Sequence, residues 1–164
     1  MTLKCLVAYY SLTGNTRLIA EAIGKELEAE ILEIHPVKEL KAGKFITFIW
    51  GGAQAKMHNR PELQPYTKNV NAYDLIFLGT PVWAWTLSPP IRSFIEKEKF
   101  TGKKVAIWCC ATGNGKKALK RFEKMLPEST IIGKMSFRDP LKKHPEEATR
   151  QAKLWAKECL LKAG

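Results

Sequence analysis

The sequence predicts an α/β domain: a three-layer sandwich with one parallel sheet of five strands and helices on both faces. Three observations carry it. Five short runs are apolar on nearly every residue, as strands covered on both faces are. Between them lie segments whose apolar residues recur every three or four positions, the helical period. And the chain, 164 residues and 45% hydrophobic, has the length and composition of a single domain, 1–164, around one sizeable core. Strand and helix alternate, and parallel neighbours need such crossovers.

The elements follow in order. LKCLVAYY (3–10) is the first strand. Asn15 or Thr16 opens a helix with Ile19, Ile23 and Leu27 turned inward and Glu21, Lys25 and Glu28 outward. AEILEIHP (29–36) is the second strand, ended by Pro36. Residues 38–57 have mixed signals: FITFIW has strand propensity, GGAQAKM does not, and a helical or irregular helical segment is expected. YDLIFLGTPVW (73–83) is a third buried strand running into a loop. Ser88-Pro89-Pro90 starts a helix, with a serine cap and prolines in the first turn; it runs to about Lys97 and buries Ile91, Phe94 and Ile95. KKVAIWCCATG (103–113) is the fourth strand and its loop. KKALKRFEKML is a helix burying Leu119, Phe122 and Met125. STIIGKMSF (129–137) is the fifth strand, and PEEATRQAKLWAKECLLK closes the chain with Ala148, Ala152, Trp155 and Cys159 on one stripe.

Composition removes several classes. No apolar run approaches the roughly 20 residues of a membrane span, and MTLKCLVAYYS has neither the hydrophobic stretch nor the cleavage site of a signal peptide; a cytoplasmic protein is expected. The four cysteines, Cys5, Cys109, Cys110 and Cys159, include no CxxC and read as reduced, buried, small hydrophobes. His35, His58 and His144 stand at no metal-ligand spacing. The net charge is +11, and its location matters more than its size. Residues 1–96 hold 10 Lys/Arg and 9 Asp/Glu, whereas residues 97–124 hold 9 and 2. Such a cluster is a solvated surface, a docking face for an acidic partner, or a nucleic-acid footprint.

In parallel sheets ligands bind beyond the carboxyl ends of the strands, where the strand order reverses. Three loops lie there. Ser11-Leu12-Thr13-Gly14-Asn15-Thr16 joins a strand to a helix N-terminus, whose free N–H groups and partial positive charge make an anion site. Three hydroxyls and an amide add donors, and Gly14 permits a tight turn. An ordinary capping turn uses the same residue types, but four polar donors in six residues favour a phosphate. Other phosphate devices fail: there is no GxGxxG after the first strand, ATGNGKKA lacks the Walker glycine and hydroxyl, and Cys110 is followed six positions on by Lys116 rather than arginine. The second loop, Thr80–Thr86, carries Trp83 and Trp85, either of which can pack in the core or stack on a flat ligand. The third, Ala111-Thr112-Gly113-Asn114-Gly115, is small and can bring backbone close to a ligand edge.

Those stretches resemble a known family. YYSLTGNTRLIAEAI is similar to the phosphate loop of flavodoxins, GTPVWAWTLSPPIRSFI to their second flavin loop and ATGNG to the third, and the resemblance spans essentially the whole chain. It implies a flavodoxin-like fold with strand order 2-1-3-4-5 and noncovalent FMN. The phosphate would sit on Ser11, Thr13, Gly14, Asn15 and Thr16, with Leu12 in the same loop. The ring would lie between the other two loops, with Trp83 the first choice for stacking and Trp85 the second. Pro81, Val82, Ala84, Ala111, Thr112, Gly113 and Asn114 would line its edge. The implied function is flavodoxin-type electron transfer; the alternative is an FMN-dependent NAD(P)H:quinone-type oxidoreductase of the same fold. No residue set for acid–base, nucleophilic or metal catalysis stands out, which favours the carrier. Flavodoxins are typically acidic and this chain is basic, so Lys116 and Lys117 are expected to make the flavin easier to reduce, and redox partners with acidic docking faces are expected. Nucleic acid is disfavoured, because it would leave the SLTGNT loop idle.

Overall fold

The computed structural model describes residues 2–39 and 59–164. Five strands run parallel: β1 (Cys5–Tyr9), β2 (Glu30–Glu33), β3 (Leu75–Trp83), β5 (Lys104–Ala111) and β6 (Thr130–Arg138). A short β4 (Thr86–Leu87) folds back antiparallel on the end of β3. The order across the sheet is β2-β1-β3-β5-β6, with β4 beside β3, as expected apart from that added strand. The helices are α1 (Asn15–Leu27), α2 (Pro89–Glu98), α3 (Lys116–Lys124), α4 (Pro140–Lys143) and α5 (Pro145–Ala163). The helical segment expected over 38–57 falls almost wholly outside the described residues.

The strands are buried on both sides because alternate residues feed two different cores. Leu6, Ala8, Ile76, Leu78, Val105 and Ile107 face Ile91, Phe94 and Ile95 of α2 and Phe122 of α3. Val7, Leu75, Phe77, Ala106 and Trp108 face Ile19 and Ile23 of α1 and Ala152, Trp155 and Cys159 of α5. All four cysteines are buried and free, as expected.

The order reverses between β1 and β3. The chain leaves β1 for β2 on one side and returns to β3 on the other, so Tyr9 pairs with both Glu33 and Gly79. That places the loop after β1 beside the end of β3, where the Tyr10 N–H donates to the Gly79 carbonyl at 3.3 Å.

Three local features differ from expectation. The chain after Trp83 is a hairpin into β4 rather than an open loop. The four-residue α4 follows β6 directly. And Ser88 occupies the N-cap of α2 without capping it through its side chain; its hydroxyl lies 3.0 Å from Thr80 Oγ1, which also accepts from the Ser88 N–H. Tertiary neighbours supplied the serine with a buried partner closer than the helix end.

Candidate functional site

The first loop is closed by its own side chains. Ser11 Oγ accepts hydrogen bonds from the backbone N–H groups of Gly14 at 3.1 Å and Arg17 at 3.3 Å. Asn15 Nδ2 donates to Thr13 Oγ1 at 3.2 Å, and Asn15 Oδ1 accepts from the Leu141 N–H of α4 at 3.0 Å. Gly14 has φ 98°, and a Cβ there would sit 3.1 Å from Leu141 Cδ1. Glycine suits the left-handed turn, and a Cβ there would also press on the end of the Leu141 side chain. Thr16 is 1% exposed, and its Oγ1 has no hydrogen-bond partner; the Cys110 thiol beside it is pushed far above its ordinary pKa, by burial first. A buried hydroxyl left unpaired costs about 1–3 kcal/mol. The loop itself carries no charge, and Arg17, the cation that follows it in sequence, is paired with Glu33 of β2.

The second loop is strained. Ala84 and Trp85 form the two-residue turn between β3 and β4 with φ 48° and 59°. Primed hairpin turns need positive φ at both central positions and favour Asn-Gly; alanine and tryptophan there cost about 1–3 kcal/mol each. Two arginines hold this hairpin. Arg121 Nη1 on α3 donates to the Trp85 carbonyl at 3.1 Å. Arg92 on α2, 7% exposed, donates to Thr86 Oγ1 and reaches Met125 Sδ at 3.3 Å, while its Nε has no hydrogen-bond partner. Burial, and then the nearby charges of Arg60 and Arg121, pull the Arg92 pKa down; a guanidinium starts high enough to keep its charge. The tryptophans part company. Trp83 is 3% exposed and packs edge-on against Tyr10, with ring centroids 5.6 Å apart and planes at 86°. Trp85 is 61% exposed. Of the two rings expected as stacking candidates, Trp83 is thus enclosed in the core and Trp85 is exposed.

The third loop runs from the end of β5 to α3. Its Thr112 carbonyl accepts from Arg138 Nε at 2.8 Å, and Asn114 Oδ1 accepts from the Lys116 N–H two residues on at 3.0 Å, a local turn just before the helix. Gly115 has φ 67°, and a Cβ there would lie 2.3 Å from Ser136 Oγ and 2.7 Å from Cys109 Sγ. Burial pushes the Cys109 thiol up to about 11, so it stays protonated.

The sheet brings all three loops to one edge, a neutral cluster of N–H and hydroxyl groups beside an exposed indole. The sequence profile of flavodoxins matches residues 4–145. The chain belongs to the flavodoxin family. A flavoprotein of Lactobacillus acidophilus NCFM, solved in complex with FMN, is 26% identical; the likeness covers 88% of this chain and 99% of that one at TM-score 0.70. Oxidised flavodoxin 2 of Bacillus cereus, 22% identical, shares the fold over 97% of this chain and 99% of its own at TM-score 0.63. An uncharacterized protein of Archaeoglobus fulgidus is 26% identical over 153 residues, 91% of this chain and 96% of that protein.

Four residues that support the loops of this flavodoxin-family chain carry no sequence signal. Arg92, Arg121, Arg138 and Leu141 reach them from α2, α3, β6 and α4. The density of lysine and arginine in KKALKRFEK was visible, but not which residue would meet the hairpin. Among the described residues no cluster of three or more His, Cys, Asp or Glu side chains could hold a metal ion, and no helix is long and apolar enough to cross a membrane.

Proposed function

We propose that the protein binds FMN noncovalently and carries electrons between redox proteins in the cytoplasm. The observation that carries the reading is the first loop. Its Gly14 and Arg17 N–H groups point at one acceptor, which Ser11 Oγ now provides, and Thr16 Oγ1 is buried there without a partner. A phosphate monoester has the acceptor oxygens to take those two N–H donors, and we assign the Thr16 hydroxyl to it as a third. The residues therefore fit the group. Ser11, Leu12, Thr13, Gly14, Asn15 and Thr16 would hold its phosphate, and a neutral loop does so without pairing the charge to a lysine.

Trp85 is the ring we assign to stacking, because it is exposed at the edge while Trp83 is enclosed. Backbone groups of Pro81, Val82, Ala84, Ala111, Thr112, Gly113 and Asn114 would address the rim of the flavin. The strained turn, held by Arg121 and Arg92, fixes those carbonyls and N–H groups before the ligand arrives, which lowers the ordering cost of binding. FMN, when bound, supplies the electron-accepting chemistry, and the protein sets its potential. Exposed cations at Lys116 and Lys117 favour the reduced, more negative flavin and would make the potential less negative.

The relative solved with FMN supports the cofactor, and the four free cysteines fit a reducing compartment. An absorbance spectrum of the protein during stepwise dithionite reduction tests the reading. We expect a yellow protein, or one that takes up FMN at micromolar concentration, reduced in two separable one-electron steps. A colourless protein that refuses FMN after reconstitution overturns it. Steady-state oxidation of NAD(P)H with a quinone as acceptor would instead establish the oxidoreductase alternative.

A further inference from the structure

Residues 112–143 contain nine lysines and arginines and three acids. In sequence these cations are scattered over a helix, a strand end and a short connecting helix. Three hydrogen bonds show where the fold puts them. Arg121 donates to the Trp85 carbonyl of the second loop at 3.1 Å. Arg138 donates to the Thr112 carbonyl of the third at 2.8 Å. The Leu141 N–H donates to Asn15 of the first at 3.0 Å, with Lys142 and Lys143 next in the chain. Each loop is thus touched by a different cation-bearing segment, and together they rim the site.

The rest of the surface balances its charge more closely. Glu26 pairs with Lys157, Glu33 with Arg17, Glu96 with Arg60, and Glu30 with both Lys4 and Lys68. On the rim, Lys116, Lys117, Lys120, Lys142 and Lys143 are all exposed, and none is in an ion pair with a described residue. Unpaired like charges repel one another and add nothing to the fold. Gathered around one edge, they produce a field that steers an oppositely charged body to that edge.

We propose that this basic crescent is the docking face for an acidic protein partner. The proposal rests on the electron-carrier reading, which supplies the reason for a partner to approach this edge. It favours protein over nucleic acid because binders of single strands interleave several stacking rings along a basic track, whereas Trp85 is the one exposed aromatic side chain among the described residues.

The test uses oxidised acidic [2Fe–2S] ferredoxin as the probe, titrated calorimetrically onto the protein as purified and again after loading with FMN. Titrations run at about 0.01 M and about 1 M salt, where the screening length is about 30 Å and about 3 Å. We expect binding at least about tenfold tighter at low salt. The triple reversal Lys120→Glu/Lys142→Glu/Lys143→Glu should remove that gain, with flavin content and spectrum unchanged. Lys25→Glu/Lys162→Glu, in the last turns of α1 and α5, should leave the affinity as it was. Absence of ferredoxin binding at low salt, equal affinity for the basic haem protein cytochrome c or for a single-stranded oligonucleotide, or an unchanged affinity in the triple variant would each overturn the proposal. Failure of the flavin reading shows separately, as a colourless protein, since the docking affinity is read by heat and not by colour.

Discussion

Two neighbouring turns on the same sheet edge reach order by different routes. Ser11–Thr16 satisfies its backbone with Ser11 Oγ, three and six residues from the N–H groups it serves, and places glycine at the one left-handed position. Ala84–Trp85 does neither. It puts two residues with side chains into left-handed geometry, and the group holding it, the Arg121 guanidinium, is 36 residues away. A turn of the first kind forms from local chemistry. A turn of the second kind exists because the helices packed around it outweigh its strain, a combination that recurs where a site must be rigid before its ligand arrives.

The sharpest way to break the comparison is to remove the buried arginine that α2 packs under the hairpin. Arg92→Ala leaves Thr86 Oγ1 without its buried donor and opens a void, and it should cost about 2–3 kcal/mol of stability in chemical denaturation. No single side-chain truncation in the first loop should cost as much; an equal loss in Ser11→Ala would erase the distinction. Next, Thr16→Val exchanges a buried, unpaired hydroxyl for a methyl of the same shape. Apo stability should hold or rise, while the FMN dissociation constant rises about tenfold, the value of one lost hydrogen bond. An unaltered FMN affinity would remove Thr16 from the phosphate site.

Replacing the strained pair itself reverses the sign. Ala84→Asn/Trp85→Gly installs the residues that the turn geometry prefers, and thermal unfolding should show a gain of about 1 kcal/mol. FMN should bind more weakly at the same time, because the stacking ring is gone; retention of full affinity would show that Trp85 is not that ring. Smaller again is Lys116→Glu/Lys117→Glu at the third loop. It should make the second one-electron potential more negative by on the order of 70 mV for each unit of charge at about 10 Å, two units at each position, and by less at high salt.

The smallest effect lies far from both turns. Glu30 at the start of β2 is held down to about 2 by hydrogen bonds from Lys68, then Tyr73 and Lys4. Its folded value is below its ordinary value of about 4.3, so the stabilisation is present above that value and is lost as pH falls through about 2. Glu30→Gln should flatten that acid limb of the stability curve and leave FMN binding untouched.

The sequence carried the first turn almost completely. The apolar run before it, Gly14, and the hydroxyls and amide at a helix start are local signals read within about ten residues. The same holds for the strands and for the stripes of α1 and α5. The second turn was visible only as a pair of tryptophans. Both are equally apolar in composition, and nothing in TPVWAWT states that the chain reverses between them. Packing against Tyr10 encloses Trp83, and the hairpin lifts Trp85 outward. Ser88 shows the same limit in miniature, since a good capping residue was claimed instead by Thr80 across a hairpin.

Periodicity, turn chemistry and residue type thus determined that this chain makes a doubly covered parallel sheet with a glycine turn and hydroxyl groups at the start of its first helix, because those properties act between residues close in sequence. Which tryptophan is enclosed and which exposed, how a strained turn survives, and which groups from α3, β6 and α4 reach the three loops were decided by tertiary structure. Those outcomes depend on contacts between groups tens to more than a hundred residues apart, up to the 126 positions between Asn15 and Leu141, and such contacts are defined only once the sheet has brought its strand ends together.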